Sequence, residues 1–237
     1  LRGLVGSEMC IRDRFIRDLG LKNNPITTQI EPNDSIAELL HAFVRINNIL
    51  TDMCVDIWLY ISRNIFTQTN MAGEVGSSTM PHKINPISFE NAEGNLELSN
   101  ASFVFLASRI SRSRLQRDLS GSTLFRNIGV AFGHSLLAYK NIITGLNRIQ
   151  PNKDQLSYEL EGQWSILAEA IQTVLRKSGD KGAYNKIKKL TRGVALNQES
   201  YLALVESLDV ADKDKKSLLN LTPSTYVGEI KKILKKY

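Results

Sequence analysis

The chain is poor in the residues that most often build metal centres and covalent frameworks: its 237 residues include two cysteines, three histidines and two tryptophans. Cys10 and Cys54 show no metal-type spacing and outline no disulfide framework. His41, His82 and His134 are too few and too scattered to assemble a zinc site. No metal and no cofactor is expected. Long apolar runs are lacking too, and none approaches the roughly 20 residues that span a bilayer, which argues against a membrane protein. The opening "LRGLVGSEMCIRDR" has no sustained apolar stretch ahead of a small-residue cleavage site, so it does not read as a secretory leader. A reducing, cytoplasmic setting fits these absences best.

A charge excess of one sign is missing from most of the chain. The first 175 residues carry 16 Lys/Arg against 17 Asp/Glu, whereas Arg176–Tyr237 carry 14 against 7. The formal net charge of +6 therefore belongs to the C-terminal third. There, "IKKILKKY" sets Ile230, Ile233, Leu234 and Tyr237 at helical spacing with lysines between them, the pattern of a solvated helix face. No interleaved aromatic platform supports a nucleic-acid surface. Neither nucleic acid nor a membrane is an expected partner.

What the sequence does hold is helix. Between Asp34 and Ser62, Ile36, Leu39, Leu40, Phe43, Ile46, Ile49, Leu50, Met53 and Ile57 recur at the spacing of one helix stripe. Asp34 or Ser35 is placed to cap its start. A second helix is expected from about Pro86 to Ile110, with Pro86 in the first turn, where a missing N–H costs little. "SRSRLQRDLSG" at 111–121 reads as a charged connection or a bent helix. A third long helix is expected from about Ser122 to Ile149, with Leu124, Ile128, Phe132, Leu136, Leu137, Ile143 and Leu146 facing inward. Gly129 and Gly133 are candidates for close helix approach. Trp58 and Trp164 read as packing anchors, Cys54 as a small buried hydrophobe, and His41 and His134 as ordinary helix residues.

After Pro151 the rhythm changes to short helices broken by "SGDKG", "TRG" and "LTPS". Strand-type alternation is absent, so the expected class is all-α: a long-helix bundle over residues 15–150 and a small helical domain over 151–237. Residues 1–14 lack a clear apolar period and read as a non-native segment joined near Phe15.

The stretch that breaks the helices is "GEVGSSTMPHKINP", residues 73–86. Gly leaves the backbone loose and Pro removes a donor, so a helix cannot run through it. Its Gly-Ser-Ser amides suit an anion-binding nest, and Lys83, Asn85 and the start of the next helix add cationic and donor groups. Glu90, one turn into that helix, is placed to orient an acid or base. Such a site holds a carboxylate or phosphate, or steadies a developing oxyanion. The alternative from these residues alone is a Gly/Ser surface loop followed by a capped helix.

Gly76, Ser77, Ser78, Met80, Pro81, Lys83, Asn85 and Glu90 resemble, in order and spacing, the signature of the fumarase/aspartase superfamily. Within it, "GEVGSSTMPHKINPISFENAEGNLELSNA" and "SRSRLQRDLSGSTLFRNIG" are similar to the bacterial adenylosuccinate lyase family, as are "NPITTQIEPNDSIAELL" and "WSILAEAIQTVLRKSG". The resemblance runs from Phe15 to Tyr237 and is weakest after Thr191. It implies the superfamily's all-α bundle, an N-terminal domain that this chain lacks, a homotetramer with active sites shared between subunits, and no cofactor. The implied reaction is β-elimination of fumarate from adenylosuccinate, giving AMP, and from the succinyl-aminoimidazole-carboxamide ribotide.

By the same resemblance Ser77 is the general base, with Lys83 and Asn85 holding the anion. Glu90 then orients a general-acid histidine, for which none of the three histidines present stands in a matching context. Gln29, Ser78, Ile84 and Asn91 match substrate contacts, and Arg117, Ser122, Thr123 and Arg126 match the segment that holds the nucleotide phosphate. Guanidinium forks and hydroxyls are apt partners for a phosphate. Two rival readings stay open: another fumarate-releasing lyase, such as one acting on argininosuccinate, and a non-catalytic helical assembly module.

Overall fold

The computed structural model describes residues 7–25, 31–69, 85–114, 118–183, 185, 187–188 and 196–236. The chain divides into two units, within 1–150 and 151–237. In the first, α1 (Ser7–Asp18) runs unbroken through residue 14 and is followed by α2 (Asp34–Ser62), β1 (Phe66–Gln68), α3 (Ile87–Ile110), α4 (Ser120–Phe125), α5 (Ile128–Leu146) and β2 (Ile149–Pro151). The architecture is all-α, with one addition: β1 and β2 pair as a two-stranded sheet. Three-residue strands are too short for alternation to announce them. Among the described residues no helix is long and apolar enough to cross a membrane.

Helices α2, α3 and α5 form an up-down-up bundle with two apolar clusters. Toward the start of α2, Leu40 packs with Phe103, Leu106, Ala107 and Ala131. Phe43, Phe103 and Phe132 add a cluster of rings there, with centroids 4.8–5.7 Å apart. Toward its end, Cys54 and Ile57 pack with Phe89, Ala92, Leu96, Ala138 and Ile142. Cys54 is the buried hydrophobe expected from sequence: burial, then the nearby Glu93 charge, push its thiol up to about 11.

A fully satisfied polar layer lies among these buried helices. Asn47 Nδ2 donates to Ser135 Oγ at 2.9 Å and to Ser99 Oγ at 3.4 Å, and its Oδ1 accepts from Tyr139 at 2.6 Å. The two serine hydroxyls lie 2.7 Å apart, and Ser99 also donates to the Ala131 carbonyl at 2.9 Å. Each buried polar atom is thereby spared the cost of lying unpaired.

Several local expectations give way. Helix α2 has the expected span, but its N-cap is Asn33, in a left-handed conformation at φ 64°. The Asn33 amide donates to Glu31 at 2.6 Å, and its side chain donates to the Ile110 carbonyl at 3.3 Å, joining the start of α2 to the end of α3. The third helix is not continuous: α4 ends at Phe125 and α5 begins at Ile128.

The inward face of α5 is also different. Ala131, Ser135, Ala138, Ile142 and Gly145 are buried, while Leu136, Leu137, Ile143 and Leu146 are exposed. Small residues win the interior because they let α5 approach α3 closely. A Cβ on Gly145 would lie 2.6 Å from the Phe89 ring, whereas one on Gly129 or Gly133 meets nothing within 4 Å.

In the second unit, α6 (Lys153–Leu160), a 3₁₀ turn (Trp164–Leu167) and α7 (Ala168–Lys177) precede helices at Gln198–Glu206, Asp212–Leu219 and Ile230–Leu234. Its core joins Leu167, Ile171, Leu175, Tyr201, Val205 and Leu218. Trp164 packs there, as expected from sequence, with its ring 5.5 Å from that of Tyr201. Tyr201 donates to the Leu218 carbonyl at 2.9 Å, and burial pushes its phenol up to about 12.

Candidate functional site

Of the residues singled out from sequence, Gln29, Ser77, Ser78, Lys83, Ile84 and Arg117 lie outside the described residues, as does His82. The others fall into two groups. Asn85, Glu90 and Asn91 sit at the N-terminal end of α3, which is also the C-terminal end of α2 and of α5. Ser122, Thr123 and Arg126 sit on and just after α4, beside the C-terminal end of α3. At 1.5 Å per residue the path along α3 from Glu90 to Ile110 is about 30 Å. The two groups cannot line one pocket within a single chain.

At the first end, Asn85 is half-buried and precedes the buried Pro86. The Pro86 carbonyl accepts from the amides of Phe89 and Glu90, at 2.9 and 3.1 Å, and starts α3. Glu90 lies in the first turn, where the helix dipole favours its charge. Its Oε1 accepts from the Trp58 indole at 2.9 Å. Trp58, read from sequence as a packing anchor, is 42% exposed, and its indole N–H reaches α3. An indole N–H is a donor only, so it favours a carboxylate in a fixed position.

Asn91 belongs to an amide network that sequence reading missed. Its Oδ1 accepts from Asn95 Nδ2 at 2.9 Å and from Asn141 Nδ2 at 3.1 Å, and Asn95 Oδ1 lies 2.8 Å from His134 Nδ1. The pairing of Asn91 with Asn95 at i, i+4 was a readable signal. Asn141 and His134 lie on another helix, which one periodicity does not phase.

At the other end, a cleft of about 340 Å³ is lined by Glu31, Asn33, Arg109, Arg112, Ser122 and Phe125, among others. Ser122 donates its hydroxyl to the Leu119 carbonyl at 2.9 Å, and Arg126 is exposed. The connection before α4 is clamped. Arg109 donates to Ser120 Oγ at 2.7 Å and pairs with Asp118 at 3.5 Å, while Arg114 stands 3.8 Å from the same carboxylate. The Ser120 amide donates to Asp118 at 2.9 Å. The Ser120 amide and hydroxyl, then the Arg114 charge and the Arg109 hydrogen bond, hold the Asp118 carboxyl below its usual range.

Comparison with known proteins covers nearly the whole chain. Residues 113–227 match the family model for the adenylosuccinate lyase C-terminal region, and residues 10–98 match the lyase family model. The adenylosuccinate lyase of Legionella pneumophila strain Corby is 50% identical over 94% of this chain and 49% of its own length. That of Escherichia coli K12 is 48% identical over 91% of this chain and 47% of its own. That of Haemophilus influenzae is 45% identical over 94% and 49%. The chain spans about half the length of the curated relatives it matches. With helices, signature positions and sequence identity all pointing one way, the chain belongs to the adenylosuccinate lyase family.

Proposed function

We propose that the full-length protein is a carbon–nitrogen lyase that eliminates fumarate from adenylosuccinate, giving AMP, and from the succinyl-aminoimidazole-carboxamide ribotide. The observation that carries this reading is the 45–50% identity to lyases of that name across more than nine-tenths of the chain. The placement of Asn85, Glu90 and Asn91 together at the start of α3 supports it.

In this mechanism Ser77 removes the proton next to a succinyl carboxylate. A serine hydroxyl is a weak base, so it relies on the loop amides, Lys83 and the positive end of α3 to favour its ionised form. Lys83 and Asn85 also steady the charge that develops on the carboxylate. Glu90, fixed by Trp58, orients the imidazole that protonates the departing nitrogen. None of the chain's histidines stands in the family context for that role, so the imidazole comes from outside these 237 residues.

Gln29, Ser78, Ile84 and Asn91 contact the substrate. Arg117, Ser122, Thr123 and Arg126 bind the nucleotide phosphate. The separation of about 30 Å along α3 supports an active site assembled from different copies. A homotetramer in the cytoplasm satisfies that demand, and the 237-residue chain by itself lacks turnover.

The test is Ser77→Ala in the full-length protein. Turnover of adenylosuccinate, followed as AMP formation, is expected to disappear while substrate binding persists. Turnover within a few-fold of wild type sinks the assignment, and a substrate panel that favours argininosuccinate redirects it.

A further inference from the structure

The amide network around Asn91 has a fixed polarity, and its polarity reveals what Asn91 can bind. Asn95 Nδ2 donates to the Asn91 backbone carbonyl at 2.8 Å. A carbonyl only accepts, so this contact identifies which end of the Asn95 amide is the nitrogen. Its oxygen therefore faces His134 Nδ1, and that ring nitrogen carries the proton. Asn141 Nδ2 is fixed in the same way, donating to the Leu137 carbonyl at 3.0 Å. Two nitrogens of settled identity thus converge on one atom of Asn91, at 2.9 and 3.1 Å. That atom must be the carbonyl oxygen. The Asn91 NH₂ then faces away, and among the described residues no acceptor meets it.

We infer that Asn95, Asn141 and His134 are positioning residues that hold Asn91 as a donor-only contact, so that the substrate group facing it is an acceptor such as a carboxylate oxygen. The inference rests on the lyase reading above for the ligand's identity. The orientation of Asn91 rests on the network alone. Two free rotations of an amide side chain are removed before any ligand arrives, and a neutral donor is added to the positive end of α3. His134, through its protonated Nδ1, closes the network at the side remote from Asn91.

The experiment uses the full-length protein and steady-state kinetics with adenylosuccinate. Asn95→Leu and Asn141→Leu, near-isosteric and unable to donate, are each expected to raise KM about tenfold, with kcat changed by less than about threefold. A merely structural defect lowers the active fraction, hence kcat, and leaves KM alone. In an Asn91→Leu background, Asn141→Leu is expected to add no further change in KM, because its effect passes through Asn91.

Unchanged KM in the single variants, or effects that multiply in the double variant, overturn the inference. Should either leucine variant fail to fold, the exposed Asn91→Asp decides. It replaces the outward donor with an acceptor and is expected to raise KM at least as much as Asn91→Leu. A smaller rise overturns the polarity. If the wild-type protein releases no fumarate from adenylosuccinate, the lyase reading falls, separately from these comparisons.

Discussion

At the Glu90 end of α3, neutral groups do the positioning: an indole N–H on Glu90 and a run of amides behind Asn91. At the Ile110 end, ions do it: Arg109 and Arg114 against Asp118, with Ser120 between. The helix itself explains part of the contrast. Its first turn is electropositive and needs oriented donors rather than more charge, whereas Arg109 in its last turn complements the negative end. Donor orientation at one end serves an acceptor. Charge at the other end holds Asp118 and Ser120 at the start of α4, next to Ser122.

The contrast can be broken from either side. The largest effect is expected from Glu90→Gln in the full-length protein. It keeps the shape and the Trp58 contact but removes the charge that, in the proposed mechanism, supports an imidazolium, and kcat should fall about a hundredfold. A loss under fivefold would show that the carboxylate charge is idle. Arg109→Met should instead raise the substrate KM about tenfold with kcat nearly intact, by freeing the connection before α4, and Arg109→Lys should restore much of it. Unchanged kinetics in the methionine variant would reduce the clamp to decoration.

Trp58→Phe removes one hydrogen bond and keeps the ring, so kcat should fall only about three- to tenfold. A phenylalanine variant as impaired as Glu90→Gln would contradict a merely supporting role for the indole N–H. The smallest effect is acid resistance. Asp118 has a depressed carboxyl, so its contribution to the clamp is present above the ordinary value of 3.8 and is lost as pH falls through a point below it. Hydrogen exchange of the Ser120 amide should therefore stay protected at pH 3.8. Loss of protection above that value contradicts the shift.

Much of this arrangement was legible beforehand, and the failures share a cause. Helix α2 was read with its observed bounds, because breakers flank an unbroken apolar period. Helix α3 was read to within one residue, because Pro86 marks its start. The phase of α5 was not legible: large apolar residues cover several of its faces, and the buried one is chosen by the close approach of Gly145 to Phe89. The same limit governs the site. Asn85, Glu90 and Asn91 were named from local sequence, but Trp58, Asn141 and His134 reach them only through the antiparallel packing of three helices. Spacing along one chain segment carries no information about such neighbours.

The buried Asn47 has a consequence for measurement along the bundle. With Ser99, Ser135 and Tyr139 it leaves each helix a single axial setting, since a slip of one turn, about 5.4 Å, strands every one of these polar atoms in an apolar layer. Asn33 on Ile110, Trp58 on Glu90 and Asn141 on Asn91 all depend on that setting. The middle of the bundle thus acts as a datum mark, from which α3 serves as a gauge of fixed length between the Glu90 group and the Ser122 group.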